Sequence, residues 1–214
     1  MPMPDVPNNL LRFFDREEHA MQFISGQIRC GLLSYYRDIE GTRQDDKEGQ
    51  TSFSWAQKAP QFQIDNQTGH LLGPTESNQN IRYRSTLLNP CYIVSTSSPD
   101  VGKNILTDRF GPFTVLISDP LALLERIRAV WRNHDWALND GVVIVPAEYN
   151  KDEVLAANKH LRAPPHYSYS QKPPMFSVEI EFRYVLTCSF DVNLRLEDHL
   201  TLDVGGCADI CRFP

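Results

Sequence analysis

Along residues 176–185, FSVEIEFRYV, every second position is apolar or aromatic: Phe176, Val178, Ile180, Phe182 and Tyr184. Ser177, Glu179, Glu181 and Arg183 lie between them. Strict alternation over this length predicts a strand with one buried face. It also puts two carboxylates, Glu179 and Glu181, about 7 Å apart on the other face. Like charges so placed repel. Either water screens them on a solvated strand face, or they share a task.

The rest of the chain mixes the two hydrophobic periods. Residues 10–14, LLRFF, predict a strand that carries one arginine, Arg12. A helix follows, with Asp15 as N-cap, Glu18 three residues on, a stripe of Ala20, Phe23 and Ile24, and Gly26 as its stop. Residues 34–39 predict a helical turn. In the polar stretch 41–80, 51–55 and 62–65 alternate as hairpin strands. CYIVSTSS at 91–98 predicts a strand ended by Pro99, and FTVLISD at 113–119 predicts another. Residues 119–134 give the clearest helix, with Asp119 as cap, Pro120 at the first position and Leu123, Leu124, Ile127, Val130 and Trp131 on one face. Residues 141–149 predict an apolar strand, 151–161 a short helix and 162–174 a Pro- and Tyr-rich loop. The chain ends in one or two more strands. No βαβ rhythm, repeat or linker is visible. The expected class is α+β with an antiparallel or mixed sheet, in a single domain over 1–214 with 1–9 as a flexible tail.

Composition changes this picture little. The 214 residues are 41% hydrophobic and 22% charged, ordinary for a globular domain. A net charge of −6 argues against nonspecific nucleic-acid binding, which needs a basic face. The five cysteines are scattered and predict buried thiols in a reducing compartment. Cys207 and Cys211 have no further ligands at metal-site spacing, so no metal is expected. The N-terminus lacks the basic and apolar regions of a signal peptide, and no run reaches the length of a membrane span. The expectation is a soluble chain made in a cytoplasm, with delivery into a target cell left open. Walker, G-x-S-x-G, H-E-x-x-H and G-x-G-x-x-G patterns are absent.

Paired carboxylates suit reactions in which positive charge develops at a sugar carbon. A dinucleotide substrate adds a need for an arginine at phosphate and small hydroxyls at ribose. The chain supplies Arg12, then Ser95-Thr96-Ser97, then Glu179-Ile180-Glu181, in that order. The order resembles the Arg / Ser-Thr-Ser / Glu-x-Glu pattern of the toxin-like ADP-ribosyltransferases, and residues 10–33 are similar to the opening of their DNA-targeting branch. The resemblance implies a split antiparallel or mixed sheet with flanking helices and NAD as co-substrate. It further implies Glu181 as the catalytic glutamate and Glu179 as the residue that orients or deprotonates the acceptor. Arg12, Ser95, Thr96, Ser97, Arg37 and Arg43 would hold the dinucleotide, and Tyr167 or Tyr169 would stack in the loop. The acceptor would be a protein arginine or a nucleic-acid base, in a bacterial or phage toxin or defence effector with an antitoxin or immunity protein. A catalytically inactive NAD- or nucleotide-binding or protein-interaction domain of the same fold is the alternative; in an interaction domain Arg12–Glu181 would be a structural ion pair.

Overall fold

The computed structural model describes residues 5–38, 50–56, 80–86, 90–149, 169–172, 174–189 and 196–214. These form an α+β fold around one antiparallel sheet. Its strands are β1 (Leu10–Phe14), β2 (Gln27–Leu32), β5 (Cys91–Ser97), β6 (Phe113–Ile117), β7 (Ala137–Pro146), β10 (Glu181–Cys188), β11 (His199–Asp203) and β12 (Cys211–Arg212). Two small pairs stand apart from it. One is the hairpin of β3 (Gln50–Ala56) and β4 (Asn80–Thr86); the other is the parallel pair β8 (Glu148–Tyr149) and β9 (Gln171–Lys172). The helices are α1 (Glu17–Ile24), α2 (Tyr35–Asp38), α3 (Lys103–Phe110) and α4 (Pro120–Trp131).

The sheet forks at β5. One edge of β5 pairs along its length with β10, and β10 pairs onward with β7. The other edge is shared by two strands. β2 takes its beginning, with Gly31 opposite Ile93 and Leu32 opposite Tyr92, and β1 takes its end, with Leu11 opposite Ser97. From there β2 runs on to β11, and β1 to β6 and β12. Between the two contacts, beside Ser95, the sheet is open.

Alternation decides which face each residue joins. Tyr92 and Val94 of β5, with Phe182, Tyr184, Leu186 and Cys188 of β10, meet α1 and α4 in the main core. Cys91, Ile93 and Val185 point the other way into a smaller cluster with Leu33 and Tyr169. α4 forms as its sequence predicts: the Asp119 carboxylate accepts the Ala122 amide hydrogen at 2.9 Å, and Pro120 opens the helix. Its Leu123, Leu124, Ile127 and Trp131 are buried, each worth about 1.5–3 kcal/mol relative to exposure. Gly26 ends α1 at φ +95, and a Cβ there would lie 1.8 Å from the Gly205 carbonyl oxygen, so the close approach requires glycine.

Several expectations are corrected. The strand expected over 176–185 starts only at Glu181. Residues Pro174–Glu179 form a 3₁₀ helix, and Ile180 turns the chain at φ +39. A prolyl start followed by hydrogen bonds close in sequence overrides the alternating pattern there. Asp15 does not cap α1; the N-cap is Arg16, without a side-chain bond, and Asp15 pairs instead with His19 Nδ1 at 3.0 Å. The expected apolar strand at 141–149 is β7, which starts earlier, followed by the separate β8. α3 was not expected at all. Of the predicted tail, Val6 packs against the core. The expected strand at 62–65 and helix at 151–161 lie outside the described residues.

Candidate active site

At the fork of the sheet a cleft of about 390 Å³ opens, and α1 lines part of it through His19, Gln22 and Phe23. It is further bounded by β1, β2, β5 and the start of β10, by α2 and α3, by Lys172, and by the strap Pro174–Glu179. Three of the elements expected to converge do so.

Arg12 stands at the fork. Its neighbours Leu10 and Phe14 pack towards the helices, so its side chain sets out on that side. The guanidinium lies 5.1 Å from the Phe23 ring centroid and 5.4 Å from that of Phe14. Its Nη1 donates to the Ser95 carbonyl at 3.4 Å, and Nη2 to the Arg29 carbonyl at 3.3 Å. It thus bridges the parted strands. Burial lowers its pKa, and no carboxylate among the described residues pairs with it. The expected alternative, an Arg12–Glu181 ion pair, is therefore corrected.

Glu181 opens β10 and is 3% exposed, so it is not on a solvated face. Its Oε1 accepts from Ser95 Oγ at 2.6 Å and from Arg183 Nε at 2.8 Å, and its Oε2 accepts from Lys172 Nζ. Its amide donates to Tyr149 Oη at 3.1 Å. Burial alone would raise this carboxyl; the charges of Arg183 and Lys172, with hydrogen bonds from Lys172 and Ser95, outweigh it and hold it well below the ordinary carboxylate range. Arg183 is itself fixed, donating through Nη1 to the Tyr169 carbonyl at 2.7 Å.

Glu179 ends the 3₁₀ helix, and the turn at Ile180 brings its carboxylate to the same ammonium. Lys172 Nζ donates to Glu179 Oε2 at 2.5 Å, and Arg109 Nη1 of α3 sits 2.9 Å from Glu179 Oε1. Here burial prevails: it raises the Glu179 carboxyl, Lys172 and Arg109 oppose it, and Glu181 adds to it. The two carboxyls are therefore driven in opposite directions, the pattern that separates a permanently ionised group from one able to exchange a proton.

The remaining expected residues divide. Ser97 lies opposite both Glu181 and Leu11 in the sheet. Thr96 donates to the Phe182 carbonyl at 2.9 Å, a bond internal to the sheet. Tyr169 does not stack in the cleft; its ring is buried with Leu33, Cys91, Ile93 and Val185. Arg37 falls on α2, its side chain outside the described residues, as are Arg43 and Tyr167 altogether. All five cysteines are free and buried, and no group of metal-binding side chains occurs among the described residues. No helix among them is long and apolar enough to cross a membrane.

Lys172, Arg109 and Phe176 also line the cleft, and sequence reasoning missed them. Phe176 is 4% exposed and carries Lys172 Nζ at 4.9 Å and the Arg109 guanidinium at 5.0 Å from its ring centroid. With Arg12, Arg29 and Arg183, Lys172 and Arg109 make five cations against three carboxylates, Asp15, Glu179 and Glu181, among the described residues around the cleft. In a chain of net charge −6, that local excess favours an anionic ligand. Comparison with protein-family models, with curated proteins and with solved structures gives no significant match for this chain.

Proposed function

We propose that this chain is an NAD-dependent ADP-ribosyltransferase of the toxin or defence-effector kind, which releases nicotinamide and transfers ADP-ribose to a macromolecule. One observation carries the reading: Arg12, Ser95 and Glu181, more than 80 residues apart in sequence from first to second and from second to third, meet in one cleft where the sheet forks. The forked sheet supports this reading, since the resemblance implies a split sheet. The cationic excess suits a diphosphate, with Arg12 able to offer the donors that its two carbonyl contacts leave over.

In this reading Glu181, kept ionised, stabilises the positive charge that grows at the anomeric carbon as the bond to nicotinamide breaks. Ser95 and Arg183 fix its orientation. Glu179, with the raised pKa, takes the proton that the acceptor loses as its bond to the sugar forms.

The test is incubation with labelled NAD and a cell lysate. The expected outcome is free nicotinamide with label retained in a protein, RNA or DNA fraction, which also identifies the acceptor class. Glu181→Gln should reduce nicotinamide release by about 100-fold or more, as loss of a charge-stabilising group does, with the fold intact by circular dichroism. Binding of NAD without nicotinamide release would assign the chain to the inactive nucleotide-binding alternative.

A further inference from the structure

We propose that Lys172 is an internal cation that closes this cleft in the resting chain, and that turnover requires its withdrawal. The inference rests on the ADP-ribosyltransferase reading of the site. It starts from the accounting at Glu181. Oε1 is held from within the sheet by Ser95 and Arg183. Oε2, the oxygen left to meet a sugar hydroxyl, is bonded by Lys172, whose ammonium also spans to Glu179. A single side chain thus occupies both carboxylates at the point where substrate and acceptor must reach them.

The two cations on Glu181 are not alike. Arg183 belongs to β10 itself, is 1% exposed and is tied to the Tyr169 carbonyl. Lys172 comes from β9, a two-residue strand outside the main sheet, and its side chain is 12% exposed. Withdrawing it breaks no rung of the main sheet. The strap it fastens is poised to move. Residues Pro174–Glu179 are pinned to the cleft by Lys172 and Arg109 on Glu179, and Phe176 lies beneath both cations. Outward, the strap and the turn after it expose Met175, Val178 and Ile180. The turn holds a β-branched residue at φ +39, a conformation that such a side chain resists. Strained joints of this kind persist where surrounding contacts hold them; here the Ser98 amide donates to the Ile180 carbonyl at 2.9 Å, and the ion pairs to Glu179 hold the residue before it.

Two substitutions test the latch. Lys172→Met keeps an apolar stem over Phe176 and removes the charge; Lys172→Arg keeps the charge. Glu181 retains Arg183 and Ser95 in both, and Glu179 retains Arg109, so folding is checked by melting temperature. The expected result is nicotinamide release at least tenfold faster in Lys172→Met and unchanged or slower in Lys172→Arg. Equal or slower release from folded Lys172→Met, with a measurable wild-type rate, overturns the latch and leaves the enzyme assignment standing. Should Lys172→Met not fold, the unaltered chain labelled with ¹⁵N-lysine decides. Its Lys172 ammonium signal, assigned by its absence in Lys172→Arg, is protected without ligand and should lose protection at saturating NAD. A signal unchanged by bound NAD overturns the proposal. A wild type without turnover beside an active Lys172→Met supports it; no NAD binding or release from either protein brings down the assignment and the latch together.

Discussion

Glu179 and Glu181 grip one ammonium, yet their surroundings push them apart. For Glu181 the cations win and the carboxyl stays ionised at any ordinary pH. For Glu179 burial wins, so its proton is lost at higher pH than from a free glutamate. A base must be deprotonated to act. The rate of transfer should therefore fall as pH drops through the Glu179 pKa, at a pH above the ordinary carboxylate value. Glu179→Gln should remove that acid limb and lower transfer more than NAD cleavage; a pH–rate profile of both activities checks it. An unchanged limb in the variant would place the titration elsewhere. At this scale Arg12 was legible because a lone arginine among LLRFF demands a reason to be there. Lys172 and Arg109 were not. Neither sits in a patterned strand, and each matters only through a fold that brings α3 and the strap to Glu179.

Among the elements, the second half of the 176–185 stretch behaves as its alternation says, with Phe182 and Tyr184 in the core and Glu181 and Arg183 on the cleft side. The first half does not. Its apolar residues Val178 and Ile180 are exposed, and Phe176 is buried from a 3₁₀ turn rather than from a strand. A 3₁₀ helix repeats every three residues, so Phe176 and Glu179 share the buried side while Val178 faces water, and nothing in the two-residue alternation signals that change of period. α3 escaped notice for a related reason: it buries Leu106 while Ile105 is 53% exposed, which leaves no helical stripe to read. The left-handed turn makes its own prediction. Asparagine tolerates this conformation far better than isoleucine. Ile180→Asn, which trades an exposed side chain, should raise stability by about 1 kcal/mol in a denaturant melt. If the latch draws on strain at this joint, the same variant should also slow strap opening. A destabilised variant would show that the exposed Ile180 side chain packs more than its geometry suggests.

For the molecule as a whole, the class and most strands were readable, but the order of strands was not. Local pattern says that residues 91–98 and the strand after 180 are extended; it cannot say that one edge of β5 is divided between β1 and β2. That division is a long-range result of which strands fit beside Tyr92 and beside Ser97. Ligand binding gives a test at this scale. A ligand that binds only the folded chain stabilises it by about 2.7 kcal/mol at a hundredfold excess over Kd. NAD should accordingly raise the melting temperature by several degrees. Glu181→Gln should keep most of the shift, since it removes charge stabilisation in the reaction and not the phosphate contact. Arg12→Gln should abolish it. A shift that survives in Arg12→Gln would move the phosphate site away from the fork.

The fork has a cost in backbone hydrogen bonding that the rest of the sheet does not carry. Where β1 and β2 diverge, Ser95 and Arg29 keep their partners Arg183 and Thr201 on one edge but have no strand on the fork side, and a guanidinium takes an oxygen of each. Arg12 thus acts as a wedge between the parted strands, besides the anion-binding role proposed for it. Were it replaced by a side chain too short to span the gap, the most economical repair would be for the two strands to zip together. A folded and well-ordered protein would result, with its groove sealed from below.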